Sequence, residues 1–131
     1  MTSVMKIDYT VESKKNFDQL VEEIQAKISE NGFKVLYVHD VQATMKGKGI
    51  EFPPYKIVEL CNAKYAHAVL QADMTIGLML PCKINVYEKD GKRFIVGMLP
   101  TLITEFFPEA SLGSVPQEVE NVIKKIIDEV K

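Results

Sequence analysis

Two short runs with apolar residues at every second position, Cys82 to Glu88 and Arg93 to Met98, flank Lys89-Asp90-Gly91-Lys92. An Asp-Gly pair in that setting signals a tight hairpin, because the favoured two-residue turn needs positive φ at its centre. The chain therefore contains an antiparallel strand pair. Cys82, Ile84 and Val86 share one face of its first strand, and Phe94, Val96 and Met98 share a face of its second. A lone hairpin is marginal in water, so the rest of the chain has to extend it and cover it.

Two segments have the pattern for covering. Phe17, Leu20, Val21, Ile24 and Ile28 recur at helical spacing, Ser13 is placed to cap that helix, and Gly32 stops it. Val119, Val122, Ile123, Ile126, Ile127 and Val130 mark a second long amphipathic helix. Ser114 with Gln117 reads as its capping box, and Pro116 suits its first turn. Each helix has one apolar stripe, which suits a helix lying on one face of a sheet.

The extension comes from three further strands. Val4 to Thr10 alternates, with Val4, Lys6, Asp8 and Thr10 against Met5, Ile7, Tyr9 and Val11. Phe33 to Val41 sets Phe33, Val35, Tyr37, His39 and Val41 against Leu36 and Val38, so apolar groups point both ways. A strand of that kind is covered on both faces, here by a helix and by a second subunit. Pro53-Pro54 precedes the third strand, Tyr55 to Leu60. A short central helix follows over about Ala63 to Leu70, with Asn62 as N-cap, while Pro100 to Gly113 is an irregular apolar stretch. The expected fold is α/β of the α+β type. It is a single two-layer domain over residues 1–131, with a mixed or antiparallel sheet of about five strands, two long helices and one short one.

A chain of 131 residues with 47% hydrophobic and 26% charged residues can bury one core without a disulfide or metal staple. Its formal charge of −2, with no basic tail, gives no electrostatic reason to bind nucleic acid or an anionic membrane. The opening MTSVMKIDYT has no apolar h-region, so it does not read as a signal peptide. The longest mainly apolar run, Met74 to Pro81, is far short of a membrane span. Two cysteines and no export signal place the chain in the cytoplasm, with its thiols reduced.

The chemistry-bearing residues concentrate between Glu59 and Lys83. Cys61 stands just before the helix capped by Asn62, where the positive end of the helix dipole favours a thiolate. Cys82 follows Pro81 at the start of the hairpin, so both cysteines sit at strand–loop junctions and can face one edge of the sheet. A 100° step per residue puts His67 well off the face formed by Tyr65, Ala66, Val69 and Leu70. Beside each functional reading stands a plain one: free cysteine packs as a small core hydrophobe, and an off-face histidine lies at the surface or in an interface. Cys61, Cys82 and His67 could supply three metal ligands, and His67, Tyr65 or the methionines at 74 and 79 a haem ligand, but no spacing marks either site. Glu59, two residues before Cys61, could act as an acid–base partner or face solvent. Lys46-Gly47-Lys48-Gly49 could hold an anion, but it matches no complete phosphate loop and reads more simply as a solvated turn.

The run from Cys61 through Asn62 and Ala66-His67 to Leu70, followed by Ile76-Gly77-Leu78-Met79-Leu80-Pro81-Cys82, resembles the family called domain of unknown function 302. Two positions depart from its pattern: Ala63 stands where proline is usual, and Lys83 where asparagine is common. The resemblance covers nearly the whole chain. It implies a small α/β domain that pairs as a homodimer, with Cys61, Asn62, His67, Pro81 and Cys82 as candidate site residues, and it assigns no activity and no cofactor. The leading expectation is a cytoplasmic dimeric module that binds a small-molecule ligand or a partner at the Cys61/His67/Cys82 edge. In it Asn62 orders the loop, Pro81 fixes its exit and His67 makes a hydrogen bond. The alternatives are a thiol enzyme with Cys61 as nucleophile and His67 as base, a metal or haem protein, and motifs that serve only the core and the dimer interface.

Overall fold

Five strands form one antiparallel sheet in the order β1-β5-β4-β3-β2. They are β1 (Asp8–Ser13), β2 (Lys34–Asp40), β3 (Tyr55–Cys61), β4 (Cys82–Lys89) and β5 (Lys92–Met98). The computed structural model describes residues 6–131. The hairpin forms at the Asp90-Gly91 turn, where both residues have positive φ, 53° and 75°. It supplies the middle of the sheet: β3 adds to β4, and β1 adds to β5.

The register gives the sheet two faces. On one, Leu60 pairs with Cys82, Val58 with Ile84 and Val86 with Ile95. All six are buried there with Leu20, Ile24 and Ile28 of helix α1 (Phe17–Glu30) and with Ile123, Ile126 and Ile127 of helix α5 (Val115–Val130). Burying such a side chain stabilises by roughly 1.5–3 kcal/mol, so this row holds the two layers together. Gly97 lets α5 come close, because a Cβ there would sit 2.8 Å from Ile123 Cγ2 and 3.0 Å from Ile127 Cδ1. The other face carries Tyr55, Tyr87 and Phe94, stacked across three strands with centroids 5.4 and 5.3 Å apart. Among the described residues, no long helix lies across it.

Several expectations shift in detail. The first strand runs over Asp8–Ser13 rather than from Val4, and positions 4 and 5 lie outside the described residues. Its inward residues are Tyr9 and Val11, as the alternation required. Ser13 ends that strand and does not cap α1: its Oγ donates to the Lys131 carbonyl at 3.0 Å, and Asn16 accepts from the Gln19 N–H instead. Helix α1 closes on Gly32, φ 79°, whose N–H donates to Ser29 while Phe33 N–H donates to Ile28. In β2 a register shift at Leu36 breaks simple alternation, so Val35 and Val38 face the core while Tyr37 and His39 face the other way.

Short helix α2 (Val41–Lys46) is capped by Asp40, and the Lys46–Gly49 segment is the turn that leaves it. The 100–113 stretch is not all irregular, since helix α4 (Leu102–Phe106) lies within it. At α5 the capping box does not form: Ser114 Oγ donates to Glu118 and Gln117 bonds Asn121.

Candidate functional site

Cys82 opens β4 and is paired with Leu60, so Cys61 lies one residue beyond that pair, where β3 hands over to helix α3 (Ala63–Ala72). Asn62 makes the joint. Its Oδ1 accepts from the Tyr65 N–H at 3.1 Å, and its Nδ2 donates to the Gly32 carbonyl at 3.0 Å. One side chain thus caps α3 and ties it to the turn after α1. Past α3, a 3-10 turn (Met74–Met79) starts on Asp73, whose carboxylate accepts from Thr75 N–H and Oγ. Leu80 and Pro81, joined by a cis peptide, lead back to Cys82.

These elements enclose a crevice. Leu60, Cys61 and Cys82 line it from the sheet, Tyr65, Ala66 and Val69 from α3, and Leu80 from the returning loop. Pro100, Ile103, Val115, Pro116 and Val119 line the far side. Its volume is about 30 Å³, and apart from Asn62, already bonded, its walls are apolar or thiol. Behind it Val69, Ile76, Ile103 and Leu112 pack as a second small core. Sequence reading had no role for the 100–116 walls, because a stretch without period carries no signal of what it faces. The buried Glu120 was also unexpected: it accepts from Thr101 Oγ at 2.6 Å and pairs with Lys124 at 3.3 Å, outside the crevice.

The two cysteines line the same crevice, and burial disfavours a thiolate at either. Burial pushes the Cys61 thiol up from its ordinary value. Burial pushes Cys82 up to about 11, with the neighbouring Cys61 acting in the same direction. Desolvation acts against the helix-terminus effect that would favour a Cys61 thiolate. His67 is not among the crevice walls; it is exposed on α3 and bonds Gln71 at 3.0 Å. Neither is Pro81, which only connects Leu80 to Cys82. Tyr65 stacks on Phe33, and Met74 is exposed. Glu59 pairs across strands with Lys83, on the face opposite Leu60. Among the described residues, no three of His, Cys, Asp and Glu converge as a metal site.

A model of the family described as "Domain of unknown function DUF302" matches residues 9–130. The chain belongs to this family. A solved structure with the same architecture is the "uncharacterized conserved protein DUF302 from Bacillus stearothermophilus", 26% identical with a TM-score of 0.89, covering 97% of this chain and 100% of that one. No curated protein matches. The DUF302 fold, an antiparallel five-stranded sheet with helices, is therefore that of this chain. Among the described residues of this DUF302 domain, no helix is long and apolar enough to cross a membrane.

Proposed function

We propose that this DUF302 chain is a single-domain binding module that takes a small apolar ligand into the Cys61/Cys82 crevice and works as a homodimer in the cytoplasm. The observation behind it is that both cysteines, distant in sequence, line one crevice whose other walls are almost all apolar. Protonated thiols there act as soft, polarisable wall atoms rather than nucleophiles. Asn62 frames the crevice through its two hydrogen bonds, and Pro81 brings the chain back to its floor. The volume limits an occupant to a few heavy atoms or the end of an alkyl chain. Two free thiols suit a reducing compartment.

A second reading has an observation of its own. Cys82 is part of the main core, so the cysteine motif could serve packing alone. Methyl NMR under xenon, an apolar probe of suitable size, separates the two. Shifts confined to Leu80, Val69, Ile103 and Val119 methyls, and lost in Ala66→Phe, are expected for a binding crevice. Shifts that are absent, or unchanged in Ala66→Phe, overturn the ligand reading. Mass spectrometry of untagged protein then identifies what copurifies.

A further inference from the structure

One buried charge lies outside the crevice but bonds to the stretch that builds its far side. Helix α5 turns Val119, Ile123, Ile126 and Ile127 inward, and with them Glu120, only 6% exposed. An apolar side chain at position 120 would pack as well, since replacing a buried ion pair with apolar groups is often neutral or stabilising. Packing therefore does not explain a carboxylate here. What a carboxylate adds is a strong acceptor aimed at one donor.

That donor is Thr101. Glu120 Oε1 accepts from the Thr101 hydroxyl at 2.6 Å and from the Thr101 N–H at 3.3 Å. Its other oxygen pairs with Lys124 at 3.3 Å, and the Lys124 ammonium lies 5.6 Å from the centroid of the Tyr9 ring. The carboxylate is thus steadied from β1 through Lys124, and it holds Thr101 in turn.

Both ends of this clasp stand beside crevice walls. Thr101 lies between Pro100 and Ile103, while Glu120 follows Val119 and comes one helical turn after Pro116. Residues 100–107 have no place in the sheet. Among the described residues, their remaining hydrogen bonds run within 99–110: Ile103 N–H donates to Pro100, Thr104 N–H to Thr101, and Phe107 N–H to Ile103. No backbone ladder therefore sets how far Pro100 and Ile103 stand from Val119. Ile103 packs with Val69, Ile76 and Leu112, but apolar contact is non-directional and leaves that spacing free to slide. The Glu120–Thr101 bonds are directional and fix it.

We propose that Glu120 is a positioning residue for the crevice: by clasping Thr101 it sets the separation of Pro100 and Ile103 from Val119, and so the size of apolar ligand the crevice accepts. It touches no ligand itself. Held in this way, a volume of about 30 Å³ favours the smallest occupants. Without the clasp the walls keep their apolar character and lose their fixed spacing, so larger occupants gain relative to small ones.

This inference rests on the ligand reading above and adds what sets its size limit. Methyl NMR titrations of the full chain with xenon and with benzene, read at Ile103 and Val119, give the ratio of benzene to xenon affinity. Thr101→Val loses the hydroxyl, and Glu120→Met loses the acceptor at similar length. Each is expected to raise that ratio about tenfold or more. Thr101→Ser keeps the hydroxyl and is expected to return the ratio to the wild-type value. Ser13→Ala breaks the bond to the Lys131 carbonyl at the end of the sheet opposite Cys82, and is expected to lower stability without moving the ratio. A wild type that takes up no xenon overturns the ligand reading and this inference with it. Xenon uptake with an unchanged ratio in Thr101→Val overturns this inference alone, and so does a ratio moved as far by Ser13→Ala, since a loosened fold is then the cause. Should Glu120→Met fail to fold, the Thr101→Val and Thr101→Ser pair decides.

Discussion

Gly97 shows how much can hang on a missing side chain. It sits in β5 facing α5, and a methyl group there would press on Ile123 and Ile127 at 2.8 and 3.0 Å. Both isoleucines are fully buried, so neither has free space to move into. Gly97→Ala is therefore expected to destabilise the fold by about 1–3 kcal/mol, despite the usual gain from replacing a strand glycine. Denaturant unfolding should show a lower midpoint at unchanged slope; an equal or higher midpoint would mean that α5 shifts away freely. At the same scale, Cys61 shows why local sequence rules can mislead. Its place before a helix argues for a thiolate, but burial in the crevice raises it, and two of that crevice's walls, Cys82 and the start of α5, are far away in sequence.

Among the elements, α3 is held at its start by one residue. Asn62→Ala removes both the cap and the bond to the Gly32 carbonyl. The expected cost is about 1–2 kcal/mol, with faster amide exchange in the first turn of α3. Asn62→Asp keeps the acceptor for Tyr65 but turns a carboxylate oxygen towards the Gly32 carbonyl, so it should recover only part of that loss. Equal stabilities for the two variants would show that the cap contributes nothing. The cap itself was readable from sequence, because an asparagine before a helix-period run satisfies a local rule. So were the two long helices, the hairpin and the inward row Cys82-Ile84-Val86, each set by spacing within a few residues. What could not be read came from longer range. Ser13 is drawn from capping into the strand by β5 and by the Lys131 carbonyl. The Leu36 bulge depends on how β2 meets β3, and the 100–116 walls of the crevice have no period to betray them.

For the molecule as a whole, the buried thiol predicts an alkaline limit. Cys82 has an ordinary value of 9.0 and is pushed up to about 11 in the folded chain. Above pH 9 the unfolded chain ionises this thiol and the folded chain does not, so stability is present below that pH and is lost as pH rises towards 11. The shift corresponds to about 2–3 kcal/mol. Wild type should therefore lose more stability between pH 9 and 11 than Cys82→Ala does, as judged by denaturant midpoints at each pH; parallel profiles would remove the thiol as the cause. Glu120 sets the opposite limit. Burial alone would raise its carboxyl, but bonds from Thr101 and the Lys124 charge hold it below the ordinary value. Its contribution is present above the ordinary carboxylate range and is lost as pH falls from that range through its lower folded value.

The place of β1 has a consequence in time. As an edge strand it bonds only to β5, so Ser13 has no partner until Arg93 has been made. At typical rates of synthesis that interval is on the order of ten seconds. During it α1, β2, β3 and β4 can already assemble, while the first strand of the chain is the last to find its place. A nascent chain halted before β5 should therefore hold its N-terminal segment open to protease, and the full chain should not.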